Sequence, residues 1–212
     1  MARLIEALLR LEPARLEADY RSREAPRDYA EPPLAVRLDG VNFGTVLSDL
    51  PGPRNRGVHN ALKIAAADLA SSSGADLAYV VSDEVNLIYR AMLPYRGRVL
   101  KLISVLASSL SARASALLNR PLRFDARAIK LYDDRDAARY IAYRARVGLN
   151  NYAISIARLR GLVESSTPPI GEILKSLEGE DLSLGWGTLL AKEKRWLEVD
   201  LCEFLAIYGL CL

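Results

Sequence analysis

Two apolar runs, Leu77–Val81 and Val85–Tyr89, are separated by only Ser82, Asp83 and Glu84. Three polar residues leave room for a turn and nothing more, so the runs are the arms of a tight hairpin. The segments around it fall into register with that constraint. Leu34–Leu38 reads Leu-Ala-Val-Arg-Leu, a largely buried strand that ends at Asp39-Gly40, where glycine permits a sharp exit. Pro51, Gly52 and Pro53 keep the stretch from Leu47 to Asn55 as loop. Val58, Leu62, Ile64, Ala65 and Leu69 then stripe an amphipathic helix that Ser71 to Gly74 ends. After the hairpin, Arg98–Leu118 carries Val99, Leu102, Ile103, Leu106 and Leu110 on one side of a long helix. Ala128–Tyr132 reads as a fourth strand and Asp136–Leu159 as another long helix.

The order strand, helix, strand, strand, helix, strand predicts an α+β fold. Its simplest form is a four-stranded antiparallel sheet with helices on one face. This is the ferredoxin-like arrangement of polymerase palms and nucleotide cyclases. Residues 1–33 read as an N-terminal helical extension, in which Leu4, Ile5, Leu8, Leu9 and Leu11 form the stripe and Pro32-Pro33 stops it. Residues 34–160 hold the palm-like domain, and 161–212 form a C-terminal segment. The apolar tail from Leu197 to Leu212 is expected to pack on the core or on another subunit.

Composition narrows the chemistry. A chain of 212 residues, half of them hydrophobic, buries a core without needing disulfides or structural metals. A net charge of +3 does not by itself announce a nucleic-acid binder. The cationic signal lies instead in arginines at Arg54 and Arg56, at Arg96 and Arg98, and from Arg135 to Arg160, whose planar forks suit phosphate. Cys202 and Cys211 match no zinc or redox spacing, and His59 is the single histidine, so only an oxygen-ligand metal site is realistic. His59 lies outside every motif and reads as a helix-surface residue. No apolar run approaches the roughly 20 residues that span a bilayer. The N-terminus has no secretory pattern, so a cytoplasmic protein without a membrane partner is expected.

In the expected sheet the first strand lies beside the hairpin, so Asp39 at its end and Asp83 in the turn reach one point. Two adjacent carboxylates repel unless a cation joins them. Magnesium accepts one or two carboxylates together with waters and substrate phosphates. Two such ions roughly 4 Å apart clamp the attacking and leaving oxygens of a phosphoryl transfer. Gly40, with no side chain, leaves its carbonyl open as a further ligand. Asp-Gly and Ser-Asp-Glu are each ordinary turn sequences when taken alone. Their placement on adjoining strand ends makes them a candidate site.

The wording around these carboxylates resembles one family. Arg37-Leu38-Asp39-Gly40-Val41-Asn42-Phe43 is similar to the Arg-Leu-Asp-Gly-x-x-Phe segment of the tRNA-His guanylyltransferases and related reverse-direction polymerases. Ser82-Asp83-Glu84 resembles their hairpin signature, and Phe124-Asp125-Ala126-Arg127 their Phe-Asp-Gly-Arg segment. Tyr140 to Arg144, followed by Asn150-Asn151, resembles their Tyr-Leu-x-Trp-Arg and His-x-Asn-Asn stretch. Leu177-Glu178-Gly179 and Gly187-Thr188-Leu189-Leu190 resemble the closing pieces, the latter a further strand.

The resemblance implies a magnesium-dependent enzyme, with two ions, that adds nucleotides (G) to the 5′ end of tRNA. ATP activates the end and the 3′-hydroxyl of GTP attacks it, in tRNA-His guanylylation or in 5′-end repair. Asp39, the Gly40 carbonyl and Asp83 would hold metal, with Asp39, Asp83 and Glu84 as the catalytic carboxylates. Asn42, Phe43, Ser82, Arg98 and Lys101 would bind the nucleotide, Arg98 and Lys101 gripping triphosphate from one helix face near its start. Arg54, Arg56, Arg127, Arg144, Asn150 and Asn151 would meet tRNA, and the C-terminal segment would face it too. A basic cluster from Lys192 to Arg195 is placed to touch RNA backbone. A homo-oligomer, dimer or tetramer, is implied as well.

Three departures stand out. Gly148 takes the place of the family histidine. Only Arg54 or Arg56 offers the basic residue of the loop after the first motif, and the Glu180–Gly187 segment is short. The competing readings are a cyclase-like palm enzyme, against which stands the lack of paired hairpin glycines, and a non-catalytic tRNA-binding member, which Gly148 favours.

Overall fold

The structure, a computed structural model, describes residues 2–23, 28–163 and 168–211. The elements run α1 (Ala2–Leu9), α2 (Pro13–Ser22), β1 (Leu34–Gly40), α3 (Phe43–Val46), α4 (Arg56–Ser73), β2 (Leu77–Val81) and β3 (Glu84–Tyr89). They continue with α5 (Val99–Leu118), β4 (Phe124–Lys130), α6 (Asp134–Leu159), α7 (Ile170–Ser176), α8 (Ser183–Trp186), β5 (Thr188–Lys192), β6 (Trp196–Val199) and α9 (Leu201–Ile207).

The strands form one antiparallel sheet in the order β4-β1-β3-β2-β5-β6. Its first four strands are the ferredoxin-like set, and the predicted hairpin holds the middle with β2 and β3. The sheet has six strands, not four, because β5 and β6 extend it from β2. Strand β4 begins at Phe124, four residues before the predicted start. Asp125 and Arg127 hide it, since an edge strand with one neighbour tolerates polar side chains.

The crossover helices α4 and α5 pack on one face, over Leu34, Val36, Leu38, Val80, Val85 and Leu87. The expectation of helices on one face only needs correction. The other face, through Ala35, Tyr79, Val81 and Ile88, is covered by α6 with α1, α2 and α7 to α9 around it. Burial on both sides is why β2 and β3 are apolar along their whole length instead of alternating.

Helix α5 is, by length and composition, long and apolar enough to cross a membrane, which corrects the expectation that no run approaches that length. Ser104, Ser108, Ser109, Ser111 and Ser115 break the run to the eye yet carry no charge. Its Val99, Leu102, Leu106, Leu110 and Ala114 side is buried in the layer shared with α4. The apolar tail packs on the core through Leu201, Phe204, Leu205 and Cys211, with Leu212 outside the described residues. Cys202 and Cys211, which match no redox spacing, form a disulfide across α9 and the turn after it.

Helix α6 crosses α8 at glycines. A Cβ at Gly148 would lie 2.3 Å from Val81 Cγ2 and 2.6 Å from the Gly185 carbonyl. No side chain fits there, so the imidazole that the family places at this position has no room. Gly148→Ala is expected to destabilise the fold by about 1–3 kcal/mol through overpacking. Differential scanning calorimetry would read this as a thermal midpoint lower by several degrees.

Candidate active site at the sheet end

The register sets Asp39 opposite Glu84 at the end of β1 and β3, with Asp83 in the turn beyond. The turn holds only Ser82 and Asp83 between paired strands, and Ser82 has φ +56°. A positive φ at the first central position of a two-residue hairpin is normally left to glycine. The neighbouring loop is tied to this turn, the Gly40 N–H donating to the Asp83 carbonyl at 3.1 Å. Gly40 is required by packing: a Cβ there would meet the Phe43 ring at 2.5 Å and Asp83 Cβ at 2.9 Å. Asp39 and Asp83 are close enough to feel one another. Burial raises the proton affinity of Asp83, and the charge of Asp39 raises it further, against the lowering pull of Arg54. No ion pair to Asp83 exists among the described residues. Two mutually repelling carboxylates beside the backbone of Gly40 are a donor set that fits a hard, oxygen-seeking cation.

A cleft of about 350 Å³ opens beside Asp83, large enough for a small-molecule ligand. Phe43, Leu47, Leu50 and Val58 supply apolar walls, and Arg54, Asn55, His59, Ser82 and Asp83 supply polar groups. Phe43 is held edge-on against Phe124, with ring centroids 5.1 Å apart. Asn55 caps α4 by accepting the N–H groups of Gly57 and Val58. Asn42 stands outside this lining, in the left-handed region, where its carbonyl accepts from Thr45 and Val46.

Glu84 does not join the carboxylate pair, as its place in the motif led us to expect. Its side chain turns into the α6 layer, where Arg144 grips it with two nitrogens and Arg37 Nε approaches at 2.9 Å. Burial raises its proton affinity, and Arg144 and Arg37 oppose that rise. Arg37 also donates to Asp39 Oδ2 at 2.8 Å, so the ion pairs run Arg144–Glu84–Arg37–Asp39. This corrects the expectation that Arg144 meets tRNA, because the residue is only 5% exposed and its guanidinium is committed.

Arg98 and Lys101 are not brought to the carboxylates within this chain. Helix α5 begins after β3 ends, near Tyr29 and Ala30, at the Leu34 end of the sheet. Five residues of strand separate that end from Asp39, roughly 17 Å at the usual rise. Both side chains are exposed there, Lys101 over the Tyr95 ring.

Arg54 lies in the cleft wall. Its guanidinium donates to the Leu184, Gly185 and Gly148 carbonyls and sits 5.1 Å from the Tyr152 ring centroid. It therefore fastens the loop to α6 and α8, at the place where the absent imidazole would project. Arg56 is exposed and paired with Asp181. Arg127 lies on β4 opposite Arg37. Asn150 accepts from Arg146 Nε at 2.9 Å, and Asn151 is exposed on α6.

His59 is not a surface residue, contrary to its sequence reading. It is buried, with Nε2 2.9 Å from Thr188 Oγ1. The helix pattern missed it because β5, which covers it, arrives from the far end of the chain.

Residues 22–146 match the family of tRNA-His guanylyltransferases (Thg1). An uncharacterised protein of Acanthamoeba polyphaga mimivirus is 29% identical over 111 residues, 47% of this chain, and the chain spans 37% of that protein's length. Among solved structures, a bacterial tRNA-His guanylyltransferase-like protein in complex with ATP is similar with a TM-score of 0.72 at 20% identity. That match covers 93% of this chain and 95% of the other. The same kind of bacterial protein in complex with GTP gives 0.71 at 20% identity, covering 93% and 94%. The tRNA-His guanylyltransferase of Saccharomyces cerevisiae gives 0.64 at 18% identity, covering 85% and 94%. These likenesses show the fold.

Two measurements follow from this geometry. Glu84→Ala strands two buried guanidinium groups, so a loss of about 3–5 kcal/mol is expected in urea denaturation. Burial, aided by Lys63, pushes His59 down from 6.5 to about 4. The unfolded chain then takes up a proton that the folded one refuses. The stability is complete above pH 6.5, falls as pH drops toward 4, and falls no further below that. The difference amounts to at most about 3 kcal/mol. Melting curves of wild type and His59→Gln between these limits should converge as the pH falls.

Proposed function

The chain belongs to the tRNA-His guanylyltransferase family, and from that premise we propose that it is a magnesium-dependent nucleotidyltransferase acting on the 5′ end of tRNA. It adds nucleotides (G) in the 3′–5′ direction, with ATP and GTP as substrates, in tRNA-His guanylylation or end repair. The observation that carries this reading is the meeting of Asp39, Gly40 and Asp83 beside a ligand-sized cleft.

Two magnesium ions bound there would offset phosphate charge and polarise the oxygens exchanged in the transfer. Asp39 and Asp83 would hold them, with the Gly40 carbonyl as a third donor. Arg37 supports this by fixing one oxygen of Asp39. Phe43 and Val58 give a nucleoside an apolar seat, and Ser82 offers a hydroxyl at the turn. Arg98 and Lys101 lie too far away to grip the same nucleotide within one protomer, so a triphosphate contact from them requires another copy in a homo-oligomer.

The test uses a 5′-end-labelled, truncated tRNA with magnesium, ATP and GTP. Wild type is expected to lengthen the 5′ end. Asp39→Ala and Asp83→Ala should each lose more than the roughly 100-fold typical of losing an outer partner of a metal site. Extension by either variant at the wild-type rate would sink the two-metal reading. Tight tRNA binding without turnover under any nucleotide mixture would favour a non-catalytic member.

A further inference from the structure

The ion pairs behind Asp39 contain a competition. Arg37 lies between two carboxylates, donating from Nη2 to Asp39 Oδ2 at 2.8 Å and bringing Nε to 2.9 Å from Glu84 Oε2. The two contacts differ in kind. The bond to Asp39 is aligned, whereas the buried Nε–H makes no hydrogen bond among the described residues. Glu84 therefore receives charge from Arg37, and Asp39 receives both charge and a directed donor.

Arg144 supplies what Arg37 withholds. It grips Glu84 with two nitrogens, Nε at 3.1 Å from Oε2 and Nη2 on Oε1. A planar fork set on a carboxylate in this way satisfies both of its oxygens at once. The Tyr143 hydroxyl accepts from Nη1 of the same guanidinium at 3.0 Å, and Glu17 of α2 comes within 3.6 Å of that nitrogen. Tyr143 is itself stacked on Tyr20 of α2, with ring centroids 5.4 Å apart. Arg144 is thus held in place by α6 and α2 while it faces β3.

Burial decides which carboxylate would win Arg37 if Arg144 were lost. The Glu84 side chain is 9% exposed and that of Asp39 is 28% exposed. A carboxylate near solvent keeps water as a partner, whereas a buried one depends on the protein for every bond. Deprived of Arg144, Glu84 would draw the Arg37 fork to itself. Asp39 would then lose the donor that fixes its rotamer.

We propose that Arg144 is a positioning residue for Asp39: by saturating Glu84 it leaves Arg37 free to hold the Asp39 carboxylate in place beside Asp83. The proposal rests on the reading of Asp39 and Asp83 as metal ligands. It adds to that site a residue of α6 that touches neither aspartate.

The test measures metal binding without catalysis. Manganese(II), which shares magnesium's preference for carboxylate and carbonyl oxygens, is titrated into the full chain, and the free ion is followed by electron paramagnetic resonance. Thermal unfolding identifies the variants that are folded at the temperature of titration. Arg144→Met keeps the bulk and removes the fork, and its Kd for manganese should rise about tenfold, as is usual when an outer partner of a metal ligand is lost. Arg144→Lys keeps a cation on Glu84 without the fork and should fall between Arg144→Met and wild type. The double variant Arg144→Met/Glu84→Gln removes the competing charge together with the residue that satisfies it. Arg37 then has only Asp39 to serve, so the Kd should return to within about threefold of wild type, a coupling that a sum of independent losses would not give. Equal manganese affinity in wild type and the Arg144 variants would overturn the proposal. A double variant as weak as Arg144→Met would do the same, because Arg144 would then support the fold alone. Both results leave the transferase reading standing. If wild type binds no manganese, the metal reading of Asp39 and Asp83 fails and this proposal fails with it.

Discussion

The chain of ion pairs Arg144–Glu84–Arg37–Asp39 is the constraint on which the sheet end depends. Three of these residues sit on the strand face covered by α6, among the apolar Ala35, Tyr79, Val81 and Ile88. A buried carboxylate such as Glu84 is tolerable only because two guanidinium groups compensate it. That requirement fixes the register of β1 against β3 and the rotation of α6 above them. A slip of one residue would turn Glu84 toward α4 and α5, away from Arg144. Tyr140 adds to the lock by donating to Asn86 Oδ1 at 2.8 Å on the same face. With register set, Asp39 and the Asp83 turn have no choice but to meet.

Close backbone approach provides the complementary half of the design. Gly40 lets Phe43 and Asp83 crowd against β1, and Gly148 lets α6 rest on Val81 and Gly185. Gly187, at φ +74°, lets the chain enter β5 directly beside Val80 and Val81. All three surround the hairpin end, and a methyl group at any of them would force the carboxylates apart or lift a covering element. The ion pairs select the register, and the glycines let the covering layers close upon it.

Much of this was legible in the residues. The three-residue gap gave the hairpin, and the order of apolar runs gave the first four strands and with them the convergence of Asp39 and Asp83. What escaped was long-range. Glu84 and Asp83 are neighbours in sequence, but strand alternation sends their side chains apart, and only Arg144, sixty residues away, reveals where Glu84 goes. His59 looks like a surface residue until Thr188 is laid over it. Arg98 and Lys101 have suitable spacing for phosphate, yet a helix that starts where β3 finishes must begin at the wrong end of the sheet. Spacing along a helix reports a shared face and says nothing of which end of the fold that face occupies.

The placement of charge then constrains how a protomer handles its substrates. The cleft beside Asp83 has Arg54 as its cation, and that guanidinium is already occupied by three backbone carbonyls and a tyrosine ring. Burial lowers its proton affinity while Asp83 and Glu84 support its charge, as expected for a group serving the fold more than a ligand. Exposed cations lie instead in the β5–β6 turn and at the start of α5, while Arg56 and Lys63 on the outer face of α4 pair with Asp181 and Glu198. In the proposed reading, triphosphate charge in the inner cleft would be offset by ions held on the aspartates or by a neighbouring copy. The outer surfaces are better suited to a polyanion that arrives from outside. In the proposed reading, a division of this kind, with carboxylates inside and exposed cations outside, would separate the site of exchange from the surfaces that meet the nucleic acid.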